Sequence, residues 1–65
     1  MQNLTNRELE LLNAIKNGLT NREIAKKLNI SVSTVKFHLN SAIQKLNAKN
    51  RINAIYIACT NKIIE

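Results

Sequence analysis

Apolar residues recur at intervals of three and four positions along the chain, and short polar stretches separate the segments that have this pattern. Such spacing places the apolar side chains on one face of an α-helix. The chain contains no proline and one glycine, so little in it interrupts a succession of helices. We therefore predict an all-α fold of four helices, at about residues 6–17, 21–28, 32–46 and 51–62.

Polar residues mark where these helices begin and end. Thr5 and Thr20 each precede a glutamate by three positions, which is the arrangement of a capping box. Gly18 and Asn29 tolerate the left-handed backbone conformation, so we predict that they end the first and second helices. The predicted N-caps are Thr5, Thr20, Ser31 and Asn50.

The second and third helices are joined by a turn at Asn29 and Ile30 that is too short to let them run side by side. This layout predicts a helix-turn-helix, in which the second helix of the pair enters the DNA major groove. On a helical wheel of about 100° per residue, the apolar positions of the third helix form one arc. They are Val32, Val35, Leu39, Ala42, Ile43 and Leu46. The positions on the other side are Ser33, Lys36, Phe37, Asn40, Ser41 and Gln44.

Phe37 is the apolar exception on that other side. A phenylalanine in a helix usually belongs to the core, but this one lies roughly 160° from the centre of the apolar arc. Lys36 and Asn40 flank it. Phenylalanine can contact a thymine methyl group, asparagine can bind adenine through two hydrogen bonds, and lysine can reach guanine or a phosphate. We therefore predict that these three side chains contact DNA bases.

Residues at the helix starts, together with two basic residues, are the predicted contacts to the DNA backbone. Ser33 and Thr34 lie in the first turn of the third helix, where free N–H groups and the helix dipole favour a phosphate. Simple capping is the alternative for both Ser33 and Thr34, and a solvated charge is the alternative for either basic residue. The other predicted backbone contacts are Thr20, Asn21, Ser31, Lys45 and Arg51.

Charge favours a polyanionic partner but does not decide the case. The formal net charge is +6, and residues 31–65 hold five basic residues against Glu65 alone. A basic surface without any partner is the alternative.

Composition also argues against several other classes of protein. One cysteine and one histidine allow neither an intramolecular disulfide nor a Cys/His zinc site, so we expect no metal or cofactor. The sequence contains no nucleophile–base pair or glycine-rich phosphate loop, so we do not expect an enzyme. No apolar run approaches the roughly 20 residues that cross a bilayer, and we expect a cytoplasmic protein with no membrane partner.

The fourth helix has apolar residues on two sides. Ala54, Ile57 and Ala58 can pack on the rest of the domain. A domain of 65 residues cannot bury both sides of its last helix, so the second side predicts a partner, first of all a twofold-related copy. Alternatively, this side covers the edge of the core. Its residues are Ile52, Ile55, Tyr56, Cys59 and Ile63.

Taken together, these residues resemble the LuxR-type helix-turn-helix, the DNA-binding domain of many bacterial response regulators and quorum-sensing receptors. The resemblance implies one four-helix domain over residues 1–65 that binds DNA as a dimer and regulates transcription. The string from Thr34 to Leu39 looks most like the quorum-sensing branch. The matching positions are Leu4, Thr5, Arg7, Glu8, Gly18, Asn21, Glu23–Ala25, Leu28, Ile30, Ser31, Thr34–Lys36, His38, Lys45, Leu46, Asn50, Arg51 and Ala54.

The resemblance also implies roles for individual positions. It implies base contacts at Lys36, Phe37 and Asn40. It implies positions near the DNA backbone, or in support of the third helix, for Thr34, Lys45 and Arg51. The fourth helix would carry the dimer contact. The chain departs from the family at Asn29 and Asn47, where glycines are usual.

A protein-interaction module is the second hypothesis. A lone domain of this kind could pair with a larger family member or with RNA polymerase and modulate it. The basic third helix favours DNA, whereas the apolar side of the fourth helix fits both hypotheses. Both a complete short regulator and a part of a longer one remain open.

Overall fold

The computed structural model of the chain describes residues 3–64, and within them it consists of four α-helices and no strand. The helices are α1 (Asn6–Lys16), α2 (Asn21–Leu28), α3 (Val32–Lys45) and α4 (Arg51–Thr60). The predicted all-α fold is therefore confirmed. No helix within this part of the chain is long and apolar enough to cross a membrane.

The last helix is shorter than predicted, ending at Thr60 rather than near Lys62. Lys62 has a φ of 57°, which lies outside the helical region. The Ile63 N–H donates to the Ala58 carbonyl at 2.8 Å and closes this end of the helix. Helices α1 and α3 each end one residue before the predicted limit, and their C-caps are Asn17 and Leu46.

Both predicted capping boxes are present. The Glu8 N–H donates to the Thr5 hydroxyl at 3.1 Å, and the Thr5 N–H donates to Glu8 Oε1 at 2.9 Å. The Glu23 N–H likewise donates to the Thr20 hydroxyl at 3.2 Å, and the Thr20 N–H donates to Glu23 Oε1 at 2.8 Å. N-caps satisfy N–H groups that have no partner inside the helix, and each contributes about 1 kcal/mol. The other two predicted N-caps, also confirmed, are Ser31 and Asn50.

The turn between α2 and α3 depends on one left-handed residue. Asn29 has φ 58° and ψ 47°, as predicted for the end of α2. The Ile30 N–H then donates to the Ala25 carbonyl at 2.9 Å and closes the turn. Asn47, the second position where the family usually has glycine, also has a positive φ, of 54°. Asparagine thus meets the backbone requirement at both positions.

The buried apolar side chains form two clusters, and neighbouring residues of α1 point into different ones. Leu11 belongs to a cluster that it shares with α2, whereas Leu12 belongs to a cluster that it shares with α4. Helix α3 contributes to both clusters, with Val35 and Leu39 in the first and Ala42 and Leu46 in the second. These contacts hold α3 along its length and leave its other side in solvent.

The wheel of α3 is confirmed with one correction. The predicted apolar arc is buried or half-buried throughout. On the other side, Ser41 is half-buried rather than exposed, because its hydroxyl lies against the carboxylate of Glu8 on α1.

Candidate nucleic-acid interface

The solvent side of α3 presents three chemically different side chains within about one helical turn. Lys36, Phe37 and Asn40 are all exposed, and 69% of the Phe37 surface is accessible. The predicted position of Phe37 outside the core is therefore confirmed. Because the opposite side of α3 is fixed by both apolar clusters, these side chains project from a rigid element.

The Phe37 ring has a neighbour that limits its freedom. It packs against the His38 ring in an edge-to-face arrangement, with centroids 5.5 Å apart and an interplanar angle of 73°. This geometry is one that aromatic pairs prefer. His38 is half-buried, so the contact is made from the border of the core. The helical wheel gives no indication of this ring contact.

Hydroxyl groups cluster at the start of α3. The Thr34 N–H donates to Ser31 Oγ at 3.1 Å, and Ser31 Oγ lies 2.7 Å from Thr34 Oγ1. Ser33 Oγ is 3.0 Å from Ser31 Oγ. Capping therefore accounts for Ser31, and all three hydroxyls also lie together at the end of the helix where the dipole favours an anion.

The starts of α2 and α4 are joined by a side-chain hydrogen bond. Arg51 Nη1 donates to Asn21 Oδ1 at 3.3 Å, and both residues are half-buried. Each of the two is the first residue of its helix. Sequence reasoning proposed both residues as separate DNA contacts and missed the bond, because residues 30 positions apart have no periodic relationship.

Lys45 lies at the other end of α3 and has an intramolecular partner. Its Nζ donates to Glu8 Oε1 at 2.9 Å, and the Glu8 side chain is almost completely buried. Burial acts to raise the pKa of Glu8, but hydrogen bonds from Ser41, the Thr5 N–H and Lys45, with the lysine charge, lower it to about 2. A phosphate contact by Lys45 would compete with this ion pair.

Each acidic residue of α1 and α2 has a partner within the chain, but only Glu8 and Glu10 are paired with a cation. Glu8 pairs with Lys45, and Glu10 Oε1 lies 3.8 Å from Arg7 Nη1. Glu23 Oε1 accepts from the Thr20 N–H. Hydrogen bonds from the Thr20 N–H and the Thr20 hydroxyl lower the pKa of Glu23. The sequence has no acidic residue between positions 31 and 64. A polyanion approaching α3 would therefore meet no carboxylate on α3 or α4, whereas Glu23 at the start of α2 keeps its charge.

The predicted second side of α4 divides into an exposed and a packed part. Ile52 and Tyr56 lie four residues apart and are 79% and 66% exposed. Ile55 and Cys59 are half-buried and pack against the second apolar cluster. The exposed pair thus forms a narrow apolar strip on the surface, beginning at the residue after Arg51.

Comparison with known proteins gives consistent matches over most of the chain. Residues 2–58 match the family described as bacterial regulatory proteins of the luxR family. The uncharacterized transcriptional regulatory protein YxjL of Bacillus subtilis is 46% identical over 61 residues, covering 94% of this chain and 28% of that protein. The nitrate/nitrite response regulator NarP of Escherichia coli is 47% identical over 51 residues, covering 78% of this chain and 24% of that protein.

A solved structure matches the fold as well. The crystal structure of the response regulator ChrA, from a heme-sensing two-component system, superposes with a TM-score of 0.91 at 44% identity. The match covers 98% of this chain and 32% of that one. The four-helix arrangement is therefore shared with a part of a longer response regulator.

The chain belongs to the LuxR family of bacterial regulatory proteins. Its fold is the helix-turn-helix DNA-binding domain of a LuxR-type transcriptional regulator, so the predicted resemblance is confirmed. The chain spans between 24% and 32% of the length of the relatives named above. NarP and ChrA are named as response regulators, and the quorum-sensing branch suggested by residues 34–39 stays an expectation.

Proposed function

We propose that the chain binds double-stranded DNA in a sequence-specific manner and thereby regulates transcription, with α3 in the major groove. The observation that carries this proposal is the exposed group of Lys36, Phe37 and Asn40 on a helix whose other side packs against both apolar clusters. Lys36 can bond an acceptor of guanine, Phe37 can contact the thymine methyl group, and Asn40 can bond the paired donor and acceptor of adenine.

Phosphate contacts supply most of the affinity in this proposal. In this proposal the hydroxyls at the start of α3, with Thr20 and Arg51, contact the DNA backbone. Their contribution depends on salt because neutralised phosphates release counterions. The three base-reading side chains supply discrimination, at about 1–3 kcal/mol for each good base contact.

The proposal is tested by removing Lys36. Lys36→Ala should lower binding to a preferred duplex by about 1–3 kcal/mol in a mobility-shift assay, and its preference over a scrambled duplex should fall with it. Lys27→Ala is the matched control. Lys27 is an exposed lysine of α2, and it lines a groove beside Glu10 and Asn13 of α1 rather than standing on α3. Equal binding by wild type and Lys36→Ala would reject the role of Lys36.

Phe37 offers a second test that separates binding from folding. Because Phe37 is 69% exposed, Phe37→Ala should leave the free energy of unfolding nearly unchanged. It should also remove the preference for thymine over uracil at the base that the ring contacts, since uracil lacks the methyl group. If the preference persists in Phe37→Ala, the ring does not read that methyl.

Two copies pair through α4 in the proposed complex. The support for this step is the exposed apolar strip of Ile52 and Tyr56. A second copy related by a twofold axis would bury this strip against its own counterpart. Such a dimer would place two α3 helices in successive major grooves, roughly 34 Å apart.

The same strip also favours the second candidate, a protein-interaction module. In that case Ile52 and Tyr56 would contact a larger family member or RNA polymerase, and the chain would modulate that partner. Retained binding to any duplex without a preferred sequence, together with tight capture of purified RNA polymerase or of a family member, would favour this function over the first.

A further inference from the structure

Two predicted contacts to the DNA backbone, Lys45 and Arg51, are held by partners of different charge. The ammonium of Lys45 lies 2.9 Å from a carboxylate, that of Glu8. The guanidinium of Arg51 instead donates to the neutral amide oxygen of Asn21, at 3.3 Å. Within an ion pair the lysine charge is largely compensated, whereas an amide orients a cation without cancelling its charge.

Arg51 therefore keeps both its charge and most of its donors. A guanidinium has five N–H groups, and the bond to Asn21 engages one of its nitrogens. The remaining donors suit a phosphate, which arginine can bind through two parallel hydrogen bonds. Half-burial of Arg51 and Asn21 limits how far either side chain can move.

We propose that Asn21 is a positioning residue that acts through Arg51, and that Arg51 rather than Lys45 is the phosphate-binding cation next to α3. This inference rests on the proposed function. Asn21 restricts a long side chain before DNA arrives, so less conformational entropy is lost when the phosphate binds. The contribution of Asn21 to DNA affinity consequently depends on the presence of Arg51.

A double-mutant cycle tests this dependence. Binding of a labelled duplex of arbitrary sequence is followed by fluorescence anisotropy for wild type, Asn21→Ala, Arg51→Ala and the double variant. Asn21→Ala should weaken binding about two- to tenfold, within the range that contacting residues show. In the Arg51→Ala background the same substitution should change nothing. Arg51→Ala should also reduce the slope of log affinity against log salt by about 1, and Lys45→Ala should reduce that slope less.

Asn21→Asp separates positioning from simple support of the fold. A carboxylate still accepts from Arg51 but compensates its charge, so the melting temperature should not fall while binding and its salt dependence both do. Asn21→Ser, a residue that suits a helix start but has a shorter side chain, should reproduce the binding loss of Asn21→Ala without loss of folding. Lys27→Ala controls for removing a positive charge elsewhere on α2.

Three results would overturn the inference, each for a different reason. If Asn21→Ala weakens binding equally with and without Arg51, Asn21 contacts DNA by itself and the inference is overturned. If Arg51→Ala changes neither affinity nor salt dependence, the inference also falls, although Lys36 can still support the proposed function. If wild type binds no duplex at low salt, the proposed function fails and the inference fails with it.

Discussion

Glu8 and Lys45 form an ion pair that joins the first turn of α1 to the last residue of α3. Lys45 Nζ lies 2.9 Å from Glu8 Oε1, and only 2% of Glu8 is exposed. The carboxylate also accepts from the Thr5 N–H. One side chain thus caps α1 and fixes the far end of the helix that carries the candidate base contacts.

Removing either partner should destabilise the fold. Lys45→Ala leaves a buried carboxylate with one charge partner fewer, and Glu8→Gln removes the charge that Lys45 compensates. Because Lys45 is partly exposed, we expect about 1–3 kcal/mol for either change, below the cost of a fully buried pair. The free energy of unfolding, measured with denaturant, checks this value. Lys49→Ala, at an exposed position four residues on, should have almost no effect.

Acid should destabilise the protein through the same carboxylate. The pKa of Glu8 is lowered from its ordinary 4.5 to about 2 in the folded chain. Its stabilising contribution is therefore complete above pH 4.5 and is lost as the pH falls through the folded value near 2. Linkage over that interval gives roughly 3 kcal/mol. Stability measured from pH 6 to pH 2 should fall less steeply in Glu8→Gln; parallel curves would contradict the assignment.

The left-handed turn gives a prediction with a built-in control. Asn29 has a φ of 58°, a conformation that costs most side chains about 1 kcal/mol or more. Asn29→Ala should therefore lower the melting temperature by several degrees, at about 4–8 °C per kcal/mol for a domain of this size. Asn29→Gly, which accepts positive φ without a steric penalty, should melt close to wild type. Equal losses in both variants would mean that the asparagine side chain, not the backbone conformation, is what matters.

The apolar strip on α4 predicts a dimer that charge can disrupt. Ile52→Asp with Tyr56→Asp places two carboxylates on the strip while leaving the buried Ala54 and Ala58 untouched. Since both substituted side chains are exposed in one copy, the variant should keep its helical circular dichroism. It should sediment as a monomer under conditions where wild type forms dimers. A wild-type sedimentation profile for the double variant would reject this surface.

Local patterns were sufficient to predict the helices and the turn. Thr5 and Thr20 cap as expected because a capping box involves residues only three positions apart. The exposure of Phe37 followed from helical periodicity alone. In each case the deciding interaction lies within one or two helical turns, so the sequence contains it directly.

The contacts that depend on tertiary packing could not be predicted in this way. Glu8 is separated from Lys45 by 37 positions and Asn21 from Arg51 by 30, and no periodic pattern relates residues so far apart. The half-burial of Ser41 has the same origin, because it depends on where α1 crosses α3. Sequence reasoning therefore identified the candidate interface residues but not which of their charges are already compensated.

Selection of bound sequences from a pool of random duplexes tests whether α3 reads DNA bases. Wild type should enrich one sequence with twofold symmetry, whose half-sites are centred about one helical turn, roughly 10 base pairs, apart. Repeating the selection with Lys36→Ala should relax the preference at particular positions of each half-site. If wild type retains DNA yet enriches no sequence, α3 does not read bases and the proposed sequence-specific binding is wrong.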